Sequence, residues 1–229
     1  MARLPRVVVP GVAHHVTQRG NRRQQIFLEE GDYALYLDLM GEACRSNWVD
    51  VWSYCLMPNH VHLIMVPADR HGLSRAVGEA HRRYSACINA RLRVTGHLFQ
   101  GRFGCVAMDE AHLLTAIRYV AMNPVKAKLA QDVTEWRWSS ARALAAGQDD
   151  LLVTCAPVLE RTGDFLRFLD ADEDQSLLAS LERGASIGRP LMDEACLEAL
   201  ERETGLPLKP RRRELRPRER ANEGQQDLL

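Results

Sequence analysis

Alternation is clearest between residues 49 and 66. VDVWSYCL and HVHLIMV are two β-rich runs, and Met57, Pro58 and Asn59 between them have the composition of a turn. They predict a hairpin, strands 49–56 and 60–66, with His60-Val61-His62 at the start of its second strand. Upstream, VAHHVT at 12–17 reads as a short strand that ends in the polar turn RGNRRQQ. Leu35, Leu39 and Ala43 recur at helical spacing and predict a helix over 33–44 with Asp32 as its N-cap. A second helix is predicted over 74–91, with Ser74 as cap, followed by a glycine-punctuated loop at 96–103 (GHLFQGRF) and a short strand at CVAM. Asp109 or Glu110 then starts a third helix through LLTAIRYVAMN. Because a proline disfavours helical geometry at the residue before it, Pro124 is expected to end that helix near Asn123.

The order strand, helix, strand, strand, helix, strand, helix fits an α+β fold: a ferredoxin-like antiparallel sheet with helices on one face. The main domain is placed at 1–146, a mainly helical C-terminal extension at 147–208, and a basic tail, expected to be disordered, at 209–229.

Composition narrows the class. A chain of 229 residues, 46% hydrophobic and 26% charged, reads as a soluble globular protein with a well-buried core. No apolar run approaches the roughly 20 residues of a membrane span, and MARLPRVVVPG lacks the apolar core of a signal peptide, so a cytoplasmic location without membrane partners is expected. The six cysteines are scattered without a CxxC pair, against a zinc ribbon or a redox dithiol, and read as reduced packing residues. The formal net charge of zero averages unlike segments. Before Glu29 the chain carries Arg3, Arg6, Arg19, Arg22 and Arg23 and no acid; from Arg70 to Arg102 seven arginines face Glu79 alone. Acids crowd 149–203, and KPRRRELRPRER follows at 209–220. This is the pattern of a basic working half with an acidic appendage, and equally of charged, solvated surface.

Residues i and i+2 of a strand share a face, so His60 and His62 present their rings together while Val61 points to the opposite layer. Two such imidazoles bind a divalent ion, and a third, oxygen ligand would shift the preference from zinc to a harder, open site; the same pair also serves as half-exposed residues hydrogen-bonded to neighbours. Tyr119 and Asn123, four apart, stack on one helical face and place a phenol one turn from an amide, or else a packing residue one turn from a helix-end cap. Tyr84, in HRRYSACINAR, is a competing nucleophile without a ligand-type residue one turn on, better suited to packing or to stacking on a base. His14, His15, His81, His97 and His112 have no such partners and read as surface or hydrogen-bonded residues.

YCLMPNHVH, GHLFQGRF and RYVAMNPVKA, in this order and at these separations, closely resemble the single-tyrosine His-hydrophobic-His (HUH) transposases, and within them the REP-associated tyrosine transposases of bacteria. The resemblance runs from about Arg3 to about Ser140, with PGVAHHVTQRGNRRQQIF and WRWSSARA similar to the family's opening strand and closing segment. It implies a ferredoxin-like catalytic domain with Tyr119 as nucleophile and His60, His62 and Asn123 as ligands of Mg2+ or Mn2+. The implied substrate is single-stranded DNA bearing hairpins or palindromic repeats, cut through a 5′-phosphotyrosine with release of a 3′ hydroxyl, by a monomer or a homodimer. Candidate DNA contacts are Arg19, Asn21, Arg22 and Arg23 on the first turn, Arg82, Arg83 and Tyr84 on the second helix, and Gln100 and Arg102 beside Gly101. RTGDFLRFLD and the segment from Gly188 resemble C-terminal extensions of longer members. Two other functions stay open: a domesticated DNA-binding protein of the same fold that no longer cuts, and a small-molecule metallohydrolase using the histidine pair, for which the basic segments and Tyr119 would have no purpose.

Overall fold

The hairpin lies inside a four-stranded antiparallel sheet. In a computed structural model that describes residues 6–171 and 174–209, the strands are β1 (His14–Arg19), β2 (Val49–Met57), β3 (His60–Pro67) and β4 (Gly104–Ala107), in the order β2-β3-β1-β4. With the helices between them this is the ferredoxin-like arrangement. The first strand starts two residues later than the sequence pattern suggests, because residues 9–12 form a turn closed by the Val12 N–H on the Val9 carbonyl and pairing begins with His14 opposite Met65.

Register decides what each face carries. Val16 pairs with Leu63, Gln18 with Val61 and Leu56 with Val61, which sets these residues on one side. Thr17 pairs with His62 and Arg19 with His60, on the other. The apolar side is covered by α1 (Glu30–Ser46) and α2 (Gly72–Leu92). At the start of α2 the chain runs so close to the sheet that a side chain on Gly72 would press on Val49 and Pro67. The helices are not confined to one face, however: the third, α3 (Glu110–Lys126), adds a layer on the opposite side, where Tyr119 packs on His62.

Local chemistry differs from expectation at three helix ends. Glu29, not Asp32, caps α1; Asp32 is three residues on and completes a capping box, its carboxylate accepting the backbone N–H groups of Leu28 (2.7 Å) and Glu29 (3.2 Å). Asp32 is buried and paired with Arg91 of α2 at 2.6 Å, so one carboxylate both starts α1 and ties it to its neighbour. The second helix starts two residues before Ser74, after His71, with no side-chain cap. The third helix does not end at Asn123: Pro124 lies inside its last turn, where the missing N–H forfeits one bond, and the Ala127 N–H resumes the ladder on the Asn123 carbonyl at 2.9 Å.

Tyr84 is fully buried, its hydroxyl on the Ile26 carbonyl at 2.5 Å and its ring among Phe27, Tyr36 and Phe99. The expectation that it contacts DNA is therefore corrected, and the same burial removes it as a nucleophile. The packing alternative is the one observed.

Beyond the sheet, residues 136–140 add to β2 through the Leu56 N–H on Trp138 (2.8 Å) and the Trp136 indole on the Leu56 carbonyl (3.0 Å). Helices α4 (Ala141–Ala146), α5 (Ala156–Thr162), α6 (Phe165–Asp170), α7 (Gln175–Ile187) and α8 (Glu194–Thr204) follow. Val158, Phe165 and Leu181 from this part are buried in the same core as the sheet residues. The tail at 210–229 lies outside the described residues. Among those described, no helix is long and apolar enough to cross a membrane. All six cysteines are free; Cys44, Cys55, Cys105 and Cys155 are buried as the sequence suggests, whereas Cys87 and Cys196 are exposed.

Candidate active site

The polar face of the sheet opens into a cavity of about 610 Å³. Strand alternation brings His15, Thr17 and Arg19 of β1 beside His60 and His62 of β3, and α3 lays Tyr119 across them. The Tyr119 ring stands edge-on to His62, centroids 5.3 Å apart, and to His15 at 6.2 Å. The 96–103 loop closes one wall: it is pinned to the end of β1 by the Gln100 N–H on the Arg19 carbonyl (2.8 Å) and brings Gln100 and Arg102 to the cavity. Gly101 there adopts φ +60 with open space at its Cα, so the backbone is accessible to a ligand.

The two histidines are held differently. His60 Nδ1 lies 2.6 Å from the Asn59 side-chain oxygen, which can only accept; the ring proton is therefore on Nδ1, and Nε2 keeps its lone pair. His62 Nδ1 lies 2.9 Å from His15 Nε2, and His62 Nε2 is buried without a partner. Burial, helped by the Arg19 charge, pulls the His60 pKa down to about 4. Burial first, then His15, His60 and Arg19, holds His62 well below its ordinary value. Both rings are thus neutral at pH 7, the form that donates a lone pair.

A buried, unpartnered ring nitrogen next to a second free one fits an electron-pair acceptor such as a divalent cation. Among the described residues no group of three His, Cys, Asp or Glu side chains could hold a metal, so further donors at such an ion would be amide, water or phosphate oxygens. Asn123 lies one turn beyond Tyr119 and is half-buried, but it is not among the cavity-lining residues. Its role as a helix-end cap falls away, since the cap is Ala127.

Of the candidate DNA contacts, Arg19, Gln100 and Arg102 line the cavity. Arg82 lines an adjoining groove that shares Gln18, Gly101 and Arg102 with it, and is paired with Glu79 at 2.9 Å. Arg83 instead pairs with Glu42 of α1 at 2.8 Å. Asn21, Arg22 and Arg23 form a tight turn, Arg22 and Arg23 exposed at φ 52 and 62, tied to the start of β3 by the Asn59 amide on the Arg23 carbonyl (3.2 Å); none lines the cavity.

Three residues not singled out from the sequence join the site. His15 is the most important, and its signal was the i, i+2, i+4 set His15, Thr17, Arg19 on one strand face. Lys126, two turns after Tyr119, places its ammonium 6.0 Å from that ring's centroid. Leu181 of α7 contributes an apolar wall from the C-terminal extension, which no local pattern could reveal.

Comparison with known proteins bears on this arrangement. The sequence model of the family described as "Transposase IS200 like" matches residues 8–123. A solved structure of a REP-associated tyrosine transposase bound to a REP hairpin is similar at TM-score 0.55 and 21% identity over 67% of this chain and 92% of that one, which shows a common fold. A chain from Deinococcus radiodurans R1, provisionally described as a transposase, matches 52% of this chain and 95% of that one at 18% identity, with a TM-score of 0.38 that is too low to bear on the fold. No curated protein matches.

Proposed function

The chain belongs to the IS200-like transposase family, and on that premise we propose that it cuts and rejoins single-stranded DNA beside hairpins or palindromic repeats, with Tyr119 as nucleophile. The observation that carries this reading is the placement of the half-buried Tyr119 ring against His62 in one cavity with His60, Arg19, Gln100 and Arg102. A structural relative bound to a REP hairpin supports the choice of substrate.

In the proposed reaction the Tyr119 oxygen attacks the scissile phosphorus. The new tyrosyl O–P bond replaces the P–O3′ bond, the phenolic proton leaves to solvent, and the departing 3′ oxygen takes up a proton. The 5′ phosphate stays on Tyr119, and because the phosphodiester count is unchanged, a second 3′ hydroxyl can reverse the step and join a different end. Arg19 and Arg102 hold the phosphate backbone against the cavity, and Lys126 adds positive charge on the tyrosine's own helix. His60 and His62, with the Asn123 amide as a third donor, would hold Mg2+ or Mn2+. The chemistry such an ion would supply is Lewis-acid polarisation of the scissile phosphate. The neutrality of both rings keeps them available for this at physiological pH.

The test is incubation of the full chain with end-labelled, hairpin-bearing single-stranded DNA and Mn2+, resolved on a denaturing gel. A covalent protein–DNA band that disappears with EDTA supports the proposal. A complex on a native gel with no cut or adduct on the denaturing one would replace it with a DNA-binding protein that no longer cleaves.

A further inference from the structure

We propose that His15 is a positioning residue whose Nε2, by accepting the His62 Nδ1 proton when a divalent cation arrives, lets His62 Nε2 serve as that cation's ligand; this rests on the metal-assisted reading above. The two rings lie nearly parallel, 17° apart with centroids at 5.1 Å, and share one hydrogen bond of 2.9 Å between His15 Nε2 and His62 Nδ1. Both are buried. A neutral imidazole carries one ring proton, so the shared bond has two arrangements.

In the first, His62 donates from Nδ1 and its Nε2 lone pair is free, while His15 carries its proton on Nδ1. In the second, His15 donates from Nε2 and His62 carries its proton on Nε2, where it cannot bind a cation. The two ends left over are the two ring nitrogens of the pair that lack a protein partner, His62 Nε2 and His15 Nδ1. The pair therefore has an unpartnered ring nitrogen at each end, and its arrangement can follow whichever ligand arrives. An electron-pair acceptor at His62 Nε2 selects the first arrangement, and a hydrogen-bond acceptor such as a phosphate oxygen selects the second.

His60 has no such freedom, because the Asn59 oxygen at 2.6 Å only accepts and already fixes the ligating tautomer. The two ligands are thus supported asymmetrically: one is permanently set, the other is set by a partner able to reverse the bond. The partner of a ligating histidine's second nitrogen fixes ring orientation and raises ligand basicity, and its loss costs about 10–100-fold in metal affinity.

The test compares full-length wild type with His15→Gln, His15→Asn and His15→Phe. Mn2+ affinity is read without DNA from the free-ion signal in electron paramagnetic resonance, and thermal melting verifies folding. A glutamine oxygen reaches the position of His15 Nε2 and accepts from His62 Nδ1–H, whereas an asparagine oxygen is one bond too short. His15→Gln should bind Mn2+ within a few-fold of wild type, while His15→Asn and His15→Phe lose about 10–100-fold. If His15→Phe does not fold, the Gln and Asn pair, both polar, decides alone. Equal affinity in wild type and His15→Asn would overturn the role of His15 and leave the metal site standing. Wild type with no Mn2+ affinity above that of His60→Ala would overturn both.

Discussion

One side of the sheet carries Val16, Leu56, Val61, Leu63 and Met65, fully buried under two helices; the other, built from the alternating residues of the same strands, carries His15, Thr17, Arg19, His60 and His62 around a cavity. The contrast narrows to one peptide bond at His14 and His15. Both rings are buried, and burial draws both pKa values down to about 4. His14 is satisfied at both nitrogens, Nδ1 donating to the Val12 carbonyl at 2.7 Å and Nε2 accepting the Val9 N–H at 3.1 Å. His15 has one nitrogen on His62 and the other unpartnered. Burial and low basicity do not separate structure from chemistry here; the hydrogen-bond ledger does.

If the two sides are as separate as this implies, substitutions on each should affect different observables. The largest effect is expected from replacing His60 and His62 together by alanine: Mn2+-dependent cleavage should fall by about 10³-fold or more, with the melting temperature little changed. Next, Leu63→Ala, on the apolar side of the same strand, should cost about 2–5 kcal/mol of stability in chemical denaturation while leaving cleavage per folded molecule intact. Cleavage lost in proportion to stability in the first variant, or with stability unchanged in the second, would break the comparison.

A third expectation concerns pH. Desolvation holds His14, which is buried, near 4, and His81, half-buried and stacked on Phe99 with its Nε2 on the Tyr36 hydroxyl, near 3. Since these values lie below the ordinary 6.5, the unfolded chain takes up protons first as pH falls. Their contribution to stability is whole above about 6.5 and is lost progressively down to about 4 and 3. Denaturation midpoints measured across that window should decline, and His14→Gln should flatten the decline. The smallest effect is expected at the rim: Arg102→Ala should lower the slope of log affinity against log salt by roughly 1 for single-stranded DNA, whereas Arg83→Ala, whose partner is Glu42, should leave it unchanged.

Much of this was legible from local pattern. Strand alternation in HVHLIMV put both histidines on one face, and the element order gave the sheet. The match of three separated motifs joined Tyr119 to the histidines across more than fifty residues of sequence, a link that no local rule makes. Tertiary packing decided the remainder. Tyr84 looked available because its neighbours Arg82 and Arg83 are charged, but its own helical face turns to the core. Arg83 pairs with Glu42 of α1, a partner that no local pattern shows. His15 has no ligand-type partner near it in sequence, and only register with β3 sets it beside His62. Pro124, in the last turn of α3, removes one bond and does not end the helix.

The central claim is that the polar face delivers Tyr119 to a phosphate. It is tested most directly by isolating the covalent adduct formed with hairpin-bearing single-stranded DNA, digesting protein and DNA, and mapping the residual nucleotide by mass spectrometry. The account predicts a 5′-phosphoryl nucleotide on the peptide containing Tyr119, and none from Tyr119→Phe; a modification on any other residue, or cleavage with no adduct, would contradict it.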